Sequence, residues 1–144
     1  FVGRINNFSD IVGEKLKNSF VEKQILTTLE ENNIKGEFLL FAPVKNETGG
    51  IFYTLFLEIK KDGRKFNWKQ IENEMNSSLC KAFHYEYAYK LGQLRKVRVF
   101  LIEKDGLKTY TAEKSKKQKI GDIKYRLLDK NFGWENKFAG GFGE

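Results

Sequence analysis

An α+β fold built on a small mixed sheet is predicted for this 144-residue chain by three observations. Apolar residues recur at helical spacing in separate stretches, three other runs are dense in β-branched and aromatic residues, and glycine or asparagine turns stand between them. The length suits one ordinary domain with a core of its own.

The chain opens on Gly3-Arg4-Ile5-Asn6-Asn7-Phe8, a polar turn, followed by the short apolar strand and glycine of Asp10-Ile11-Val12-Gly13-Glu14-Lys15-Leu16. This reads as a junction, so the chain is expected to be the back part of a larger protein. Ser19-Phe20-Val21-Glu22 has the spacing of a capping box and predicts a helix over 19–32, with Val21, Ile25, Leu26 and Leu29 on its core face. Residues 36–44 read as a strand broken by Pro43 and by Lys45-Asn46-Glu47-Thr48-Gly49-Gly50; residues 51–59 read as its hairpin partner.

Asn67 is placed to cap a second helix in which Trp68, Ile71, Met75 and Leu79 line one side. A further helical stretch carries Tyr85, Tyr87, Ala88 and Leu91 and stops at Gly92. The nearly continuous apolar run of 96–103 predicts a strand buried on both faces. Residues 107–119 are ambiguous, since Thr109-Tyr110-Thr111 favours a strand and Ala112 onward a helix. In residues 131–144, Phe132, Trp134, Phe138 and Phe142 stand among glycines and are expected to pack an aromatic edge onto the domain. Three parts result: 1–16 as hinge and opening strand, 17–130 as the domain proper, and 131–144 as a glycine-aromatic tail. The order of elements suggests a ferredoxin-like sandwich.

Composition narrows the chemistry. A single cysteine, Cys80, and a single histidine, His84, rule out a disulfide scaffold and a histidine or cysteine metal cluster. No apolar run approaches the roughly 20 residues of a membrane helix, and the expectation is a soluble, cytoplasmic protein with no membrane partner. The formal charge is +7, and residues 104–130 hold nine lysines or arginines against four acids. Such a patch favours nucleic acid, nucleotide or phosphate, or else is a solvated face. Cys80 and His84 are four apart, as a thiolate and its base would be on one helix, yet nothing supplies the third group of a nucleophilic site. Glu58, Glu72, Glu74 and Glu86 read as scattered surface carboxylates. Gly121-Asp122-Ile123-Lys124-Tyr125-Arg126 is the most suggestive loop, presenting two cations around apolar anchors.

Four segments together carry a resemblance: Gly3 to Phe8, Val12-Gly13-Glu14-Lys15-Leu16, Tyr89-Lys90-Leu91-Gly92-Gln93-Leu94, and Gly121 to Arg126. In this order they resemble the C-terminal domain of the adenylate-forming enzymes, and within them the bacterial branch of the auxin-responsive acyl-acid amido synthetase family. The resemblance implies an ATP-dependent, amide-forming ligase whose small C-terminal domain swings as a lid. A carboxylic acid would attack the α-phosphate of ATP, and an amino acid would then displace AMP from the acyl-adenylate. ATP and magnesium would be held mainly by an N-terminal domain in cis, without which the lid would be inactive. By the same resemblance Lys124 is the adenylation lysine, Arg4 approaches the nucleotide, and Asn6 is the hinge. Gly13, Glu14 and Lys15 form the acceptor-side loop. Asn6 stands where the superfamily usually has aspartate. Asp122 and Tyr125 flank Lys124 where the family tends to have glutamine and proline, so Asp122 is a possible competitor for the lysine.

A basic, ferredoxin-like nucleic-acid-binding module is the alternative. Its stacking residues would be Phe38, Phe41, Phe52, Tyr53 and Phe56.

Overall fold

The computed structural model describes residues 8–143. Two short strands, β1 (Phe8–Ser9) and β2 (Leu16–Lys17), pair antiparallel. The chain then runs directly into helix α1 (Asn18–Glu31). A hairpin follows, β3 (Gly36–Lys45) and β4 (Ile51–Ile59). Helices α2 (Trp68–Leu79) and α3 (Phe83–Lys90) carry the chain to β5 (Arg98–Lys104). Helix α4 (Gly106–Lys114), two single 3₁₀ turns (Ile120–Asp122 and Trp134–Asn136) and β6 (Ala139–Phe142) complete the described part.

The second sheet has the order β3-β4-β5-β6, with β4 and β5 parallel and both outer pairs antiparallel. The parallel pair is possible because α2 and α3 form the long crossover that such a connection requires. The fold is thus α+β with a small mixed sheet, as predicted.

Both faces of this sheet are covered, which explains its near-continuous apolar strands. Phe41, Tyr53, Leu55, Leu57, Val97 and Val99 face α1, α2 and α3. The alternate positions Phe38, Leu40, Phe52, Phe56, Phe100 and Ile102 face Tyr110 of α4 and the tail residues Trp134 and Phe138. Trp134 stacks on Tyr110 at 5.6 Å and on Phe138 at 5.4 Å, and Phe138 packs on Phe56 at 5.4 Å. The five aromatics offered as a stacking platform for bases are therefore core: Phe41, Tyr53 and Phe56 are fully buried, and Phe38 and Phe52 nearly so. The tail packs as expected and adds a strand. Gly140 has φ +143°, and a Cβ there would lie 2.0 Å from the Leu101 carbonyl oxygen, so only glycine lets β6 approach β5.

Several local expectations fail for tertiary reasons. The capping box does not form. Lys17, still extended, precedes the first turn of α1, and Ser19 lies inside that turn. Asn18 is engaged elsewhere: its Oδ1 accepts the Leu128 N–H at 2.9 Å and its Nδ2 donates to Glu22 at 3.2 Å. Leu26 is exposed, because the face that meets the sheet is Val21, Gln24, Ile25, Thr28 and Leu29. Pro43 lies within β3 instead of ending it. β3 is an outer strand, and the Phe41 N–H, two residues earlier and on the same side, points away from β4 to the Leu127 carbonyl at 2.7 Å. Pro43 therefore has no ladder hydrogen bond to lose. The ambiguous stretch is helical to Lys114 and turns thereafter; Asp105 starts it by turning the chain with φ 59°, and the Gly106 N–H donates to Glu58 at 2.8 Å.

Glu72, expected at the surface, is buried and accepts the Val99 N–H at 2.8 Å; Asn76 accepts the Val97 N–H and the Tyr85 hydroxyl. β6 begins to pair only at Phe100, so helix α2 supplies the acceptors that a neighbouring strand would otherwise provide. Asn67 does cap α2, accepting the Gln70 N–H at 3.2 Å.

Burial holds three phenols, Tyr53, Tyr85 and Tyr110, above their ordinary pKa; the charges of Glu14 and Asp129 add to the effect at Tyr53 and Tyr110. A raised folded-state pKa means the stabilisation is complete below the unfolded value of about 10 and is lost as pH rises beyond it. In an alkaline titration, phenolate absorbance from Tyr53 and Tyr85, both fully buried, is expected to appear only together with unfolding. Their ionisation before the loss of helical circular dichroism would refute this.

Candidate functional site

The loop carrying Lys124 follows the first 3₁₀ turn and is held from both sides. Tyr125 donates its hydroxyl to the Leu39 carbonyl and packs its ring against Phe38 and Tyr110, with centroids 5.8 and 5.6 Å away. Downstream, the Phe41 N–H donates to the Leu127 carbonyl and the Asp129 N–H donates to the Phe41 carbonyl. Ile123 packs on the same core. Lys124, between these anchors, is exposed. A cavity of about 360 Å³ opens beside it, lined among others by Lys114, Lys124, Arg126 and Lys130 with Asp122 and Asp129.

These charges are not equivalent. Lys114 is committed: its ammonium lies 2.5 Å from Asp129 Oδ2 with both side chains largely buried, and it sits over the rings of Tyr110 and Trp134. Asp129 is also spent, since its Oδ1 accepts the Asn131 N–H at 2.8 Å and the Trp134 indole N–H at 3.3 Å. Among the described residues, Lys124, Arg126 and Lys130 have no carboxylate within 4.0 Å; this includes Asp122, so the expected competition does not occur in this conformation. Three cations without a carboxylate partner around one neutralised pair make a surface suited to phosphate oxygens. The Lys114–Asp129 pair was not singled out from the sequence. A lysine in the last turn of a helix and an aspartate fifteen residues later carry no local signal of meeting.

The loop between β1 and β2 is built around Glu14, which is fully buried. Its carboxylate accepts the N–H groups of Ile11 and Val12 at 2.9 and 2.7 Å and the Tyr53 hydroxyl at 2.5 Å; Ser9 Oγ lies 2.5 Å from the same hydroxyl. Glu14 thus points into the body and holds the loop. Gly13 (φ 94°) and Lys15 (φ 46°) are the exposed positions of the three predicted for the acceptor side. Arg4 and Asn6 lie outside the described residues. The Lys15 N–H donates to Asp10 Oδ1, whereas the Lys124 loop is tied to β3 through Tyr125.

Cys80 and His84 do not share a helix. Cys80 caps the C-terminus of α2, and His84 lies exposed in α3 against Phe83. Burial, with a contribution from Glu86, raises the Cys80 thiol above its ordinary pKa, the opposite of an activated nucleophile. At about pH 8, alkylation of Cys80 by iodoacetamide is expected to run at least several-fold slower than that of a free thiol. An equal or faster rate would contradict the half-buried, neutral thiol. No cluster of three or more histidine, cysteine or acidic side chains suited to a metal occurs among the described residues, and no described helix is long and apolar enough to cross a membrane.

No family model matches this chain, and no curated protein matches it. Among solved structures, the GH3.15 acyl acid amido synthetase aligns over 88% of this chain with a TM-score of 0.62. The chain has the fold of part of that protein. The aligned region is 24% of the synthetase and 12% identical in sequence, so the likeness is one of fold, and this chain spans about a quarter of that chain's length.

Proposed function

We propose that the chain is the lid domain of an adenylate-forming, acyl-acid amido synthetase, inactive without the domain that holds most of the nucleotide. The observation that carries this reading is the fold likeness to the GH3.15 acyl acid amido synthetase over 88% of the chain. The Lys124 loop supports it. Its cation is exposed, unpaired among the described residues and mounted on a loop fixed to the sheet by Tyr125.

In this reading a carboxylic acid attacks the α-phosphate of ATP and pyrophosphate leaves. Negative charge builds on the α-phosphate oxygens during attack, and an ammonium delivered by lid closure stabilises it in a dry site. Arg126 and Lys130 line the same cavity and fit the remaining phosphate charge. The only buried carboxylate of that cavity, Asp129, is saturated by Lys114, Asn131 and Trp134, so magnesium and the nucleotide would be bound chiefly by an N-terminal domain in cis. In the second step an amino acid takes the acyl group and AMP leaves. Arg4 at the nucleotide, Asn6 at the hinge and exposed Gly13 and Lys15 beside the acceptor complete the assignment; Glu14 would act by holding that loop.

The test is AMP formation from ATP by the full-length enzyme, with panels of carboxylic acids and amino acids. Acid-dependent AMP release stimulated by an amino acid, with the amide as product, is expected. Acid-dependent AMP release without any amide would leave adenylation and remove the amino-acid acceptor; no AMP with any acid would overturn the proposal.

A further inference from the structure

Around the start of β5, three polar groups face the same side without partners. Arg98 opens β5 and pairs in register with Thr54 of β4. Thr54 is fully buried, and its hydroxyl has no hydrogen-bond partner; the same is true of Glu135 Oε1, on the 3₁₀ turn that covers this face. Arg98 is half-buried, and its guanidinium has neither a carboxylate within 4.0 Å nor a hydrogen bond among the described residues. It is held instead by apolar surface, its central carbon 4.2 Å from the centroid of the Phe142 ring and 5.9 Å from that of Phe52.

Arg98, Glu135, Phe52 and Phe142 line a single cleft of about 590 Å³. A guanidinium laid on an aromatic face keeps its in-plane N–H groups free, the geometry that grips an oxyanion through two parallel hydrogen bonds. The orphaned Glu135 oxygen requires the reverse, a donor. Leaving either group desolvated and unmatched is unfavourable, so a ligand that satisfies both gains from each. Lys45, Arg95 and Lys96 also line the cleft, the Lys96 ammonium donating to the neutral Asn73 Oδ1 at 2.7 Å, and only Glu47 and Glu135 oppose them, so with Arg98 the formal surplus is two positive charges. A carboxylate would neutralise half of that. A phosphate monoester carries about −1.5 to −2 at neutral pH and matches it.

We propose that this cleft is a second binding site, distinct from the Lys124 cavity, for a small phosphate monoester that also carries hydroxyl or amino donors. The phosphate lies on Arg98 with Arg95 and Lys45 at its rim; a neighbouring donor on the ligand satisfies Glu135. The site stands on its own residues and does not depend on the ligase reading.

Ribose 5-phosphate serves as probe, with inorganic phosphate and lactate as partial mimics, in calorimetric titrations and amide chemical-shift mapping of the chain. Ribose 5-phosphate is expected to bind about tenfold more tightly than either mimic, with shifts centred on Phe52, Arg98 and Glu135. Arg98→Gln should weaken it by about tenfold or more, Lys124→Ala should leave it unchanged, and Glu135→Gln, which keeps one neutral acceptor, should reduce its advantage over phosphate about threefold while phosphate itself binds as before. Glu135→Gln keeps size and shape, so it reports even if Arg98→Gln unfolds the chain. Parity with lactate would overturn the phosphate assignment, and parity with inorganic phosphate the donor assignment. Shifts centred on Lys124, or no saturable binding, would overturn the site itself.

Discussion

Replacing Glu14 with alanine is expected to destabilise the fold by about 3 kcal/mol, among the larger effects for a single residue in this chain. Its carboxylate accepts two backbone N–H groups and the Tyr53 hydroxyl, and it is fully buried. Removing it leaves three donors to find water. Ile11 and Val12 are partly exposed and can be rehydrated if the loop swings out. Tyr53 cannot, because its ring is fully buried against Phe41 at 5.3 Å and its hydroxyl would retain only Ser9. Glu14→Gln keeps one acceptor oxygen and should cost roughly half as much. Tyr53→Phe removes the donor, so Glu14→Ala added to it should cost roughly 1 kcal/mol less than Glu14→Ala alone, a coupling that urea unfolding of the four proteins would measure. A loss below about 1 kcal/mol for Glu14→Ala, or strict additivity, would mean the carboxylate is not the organiser of the loop.

Lys124→Ala in the full-length enzyme should lower acid-dependent AMP formation by at least about a hundredfold, equivalent to roughly 2.7 kcal/mol of transition-state stabilisation. Folding stability should not change, because the side chain is exposed and has no ionic partner among the described residues. That combination distinguishes a reacting-site cation from a structural one. Lys130→Ala, in the same cavity, should have a smaller effect, since a rim cation acts through solvent and is screened. The contrast with Lys114 is instructive. Lys114→Ala strips the partner from buried Asp129 and should lower stability as well as rate. If Lys124→Ala retains activity within about threefold of wild type while Lys130→Ala does not, the adenylation cation is Lys130, and the loop assignment fails.

Local signals in the chain were sufficient wherever the determining interaction lies within a few residues. Asn67 caps its own helix three residues away, and Trp68, Ile71, Met75 and Leu79 define one buried face whatever they pack against. The hairpin of residues 36–59 is likewise local. Asn46 folds its own turn, its Oδ1 accepting the N–H groups of Thr48 and Gly50 at 3.1 and 2.7 Å. The Lys124 loop was legible as two cations among apolar anchors, although which anchor mattered was not: Tyr125 reaches a carbonyl 86 positions earlier.

Other features depend on a distant neighbour that sets a residue's role. Pro43 can sit inside a strand because β3 is on the outside of the sheet, and strand order is invisible to composition. Ser19 has a capping residue's spacing but not its place, since β2 feeds α1 without an intervening turn. Glu14 and Glu72 resemble any surface glutamate in sequence; each is buried because unpaired backbone N–H groups converge on it from a loop and from a strand end. The sequence by itself determined the α+β class, the hairpin, the second helix and the exposed basic loop, through propensity and hydrophobic period. The three-dimensional structure determined which charges are spent and which are free, because the energy of a charge depends on its burial and partners, and those are brought together only by the fold.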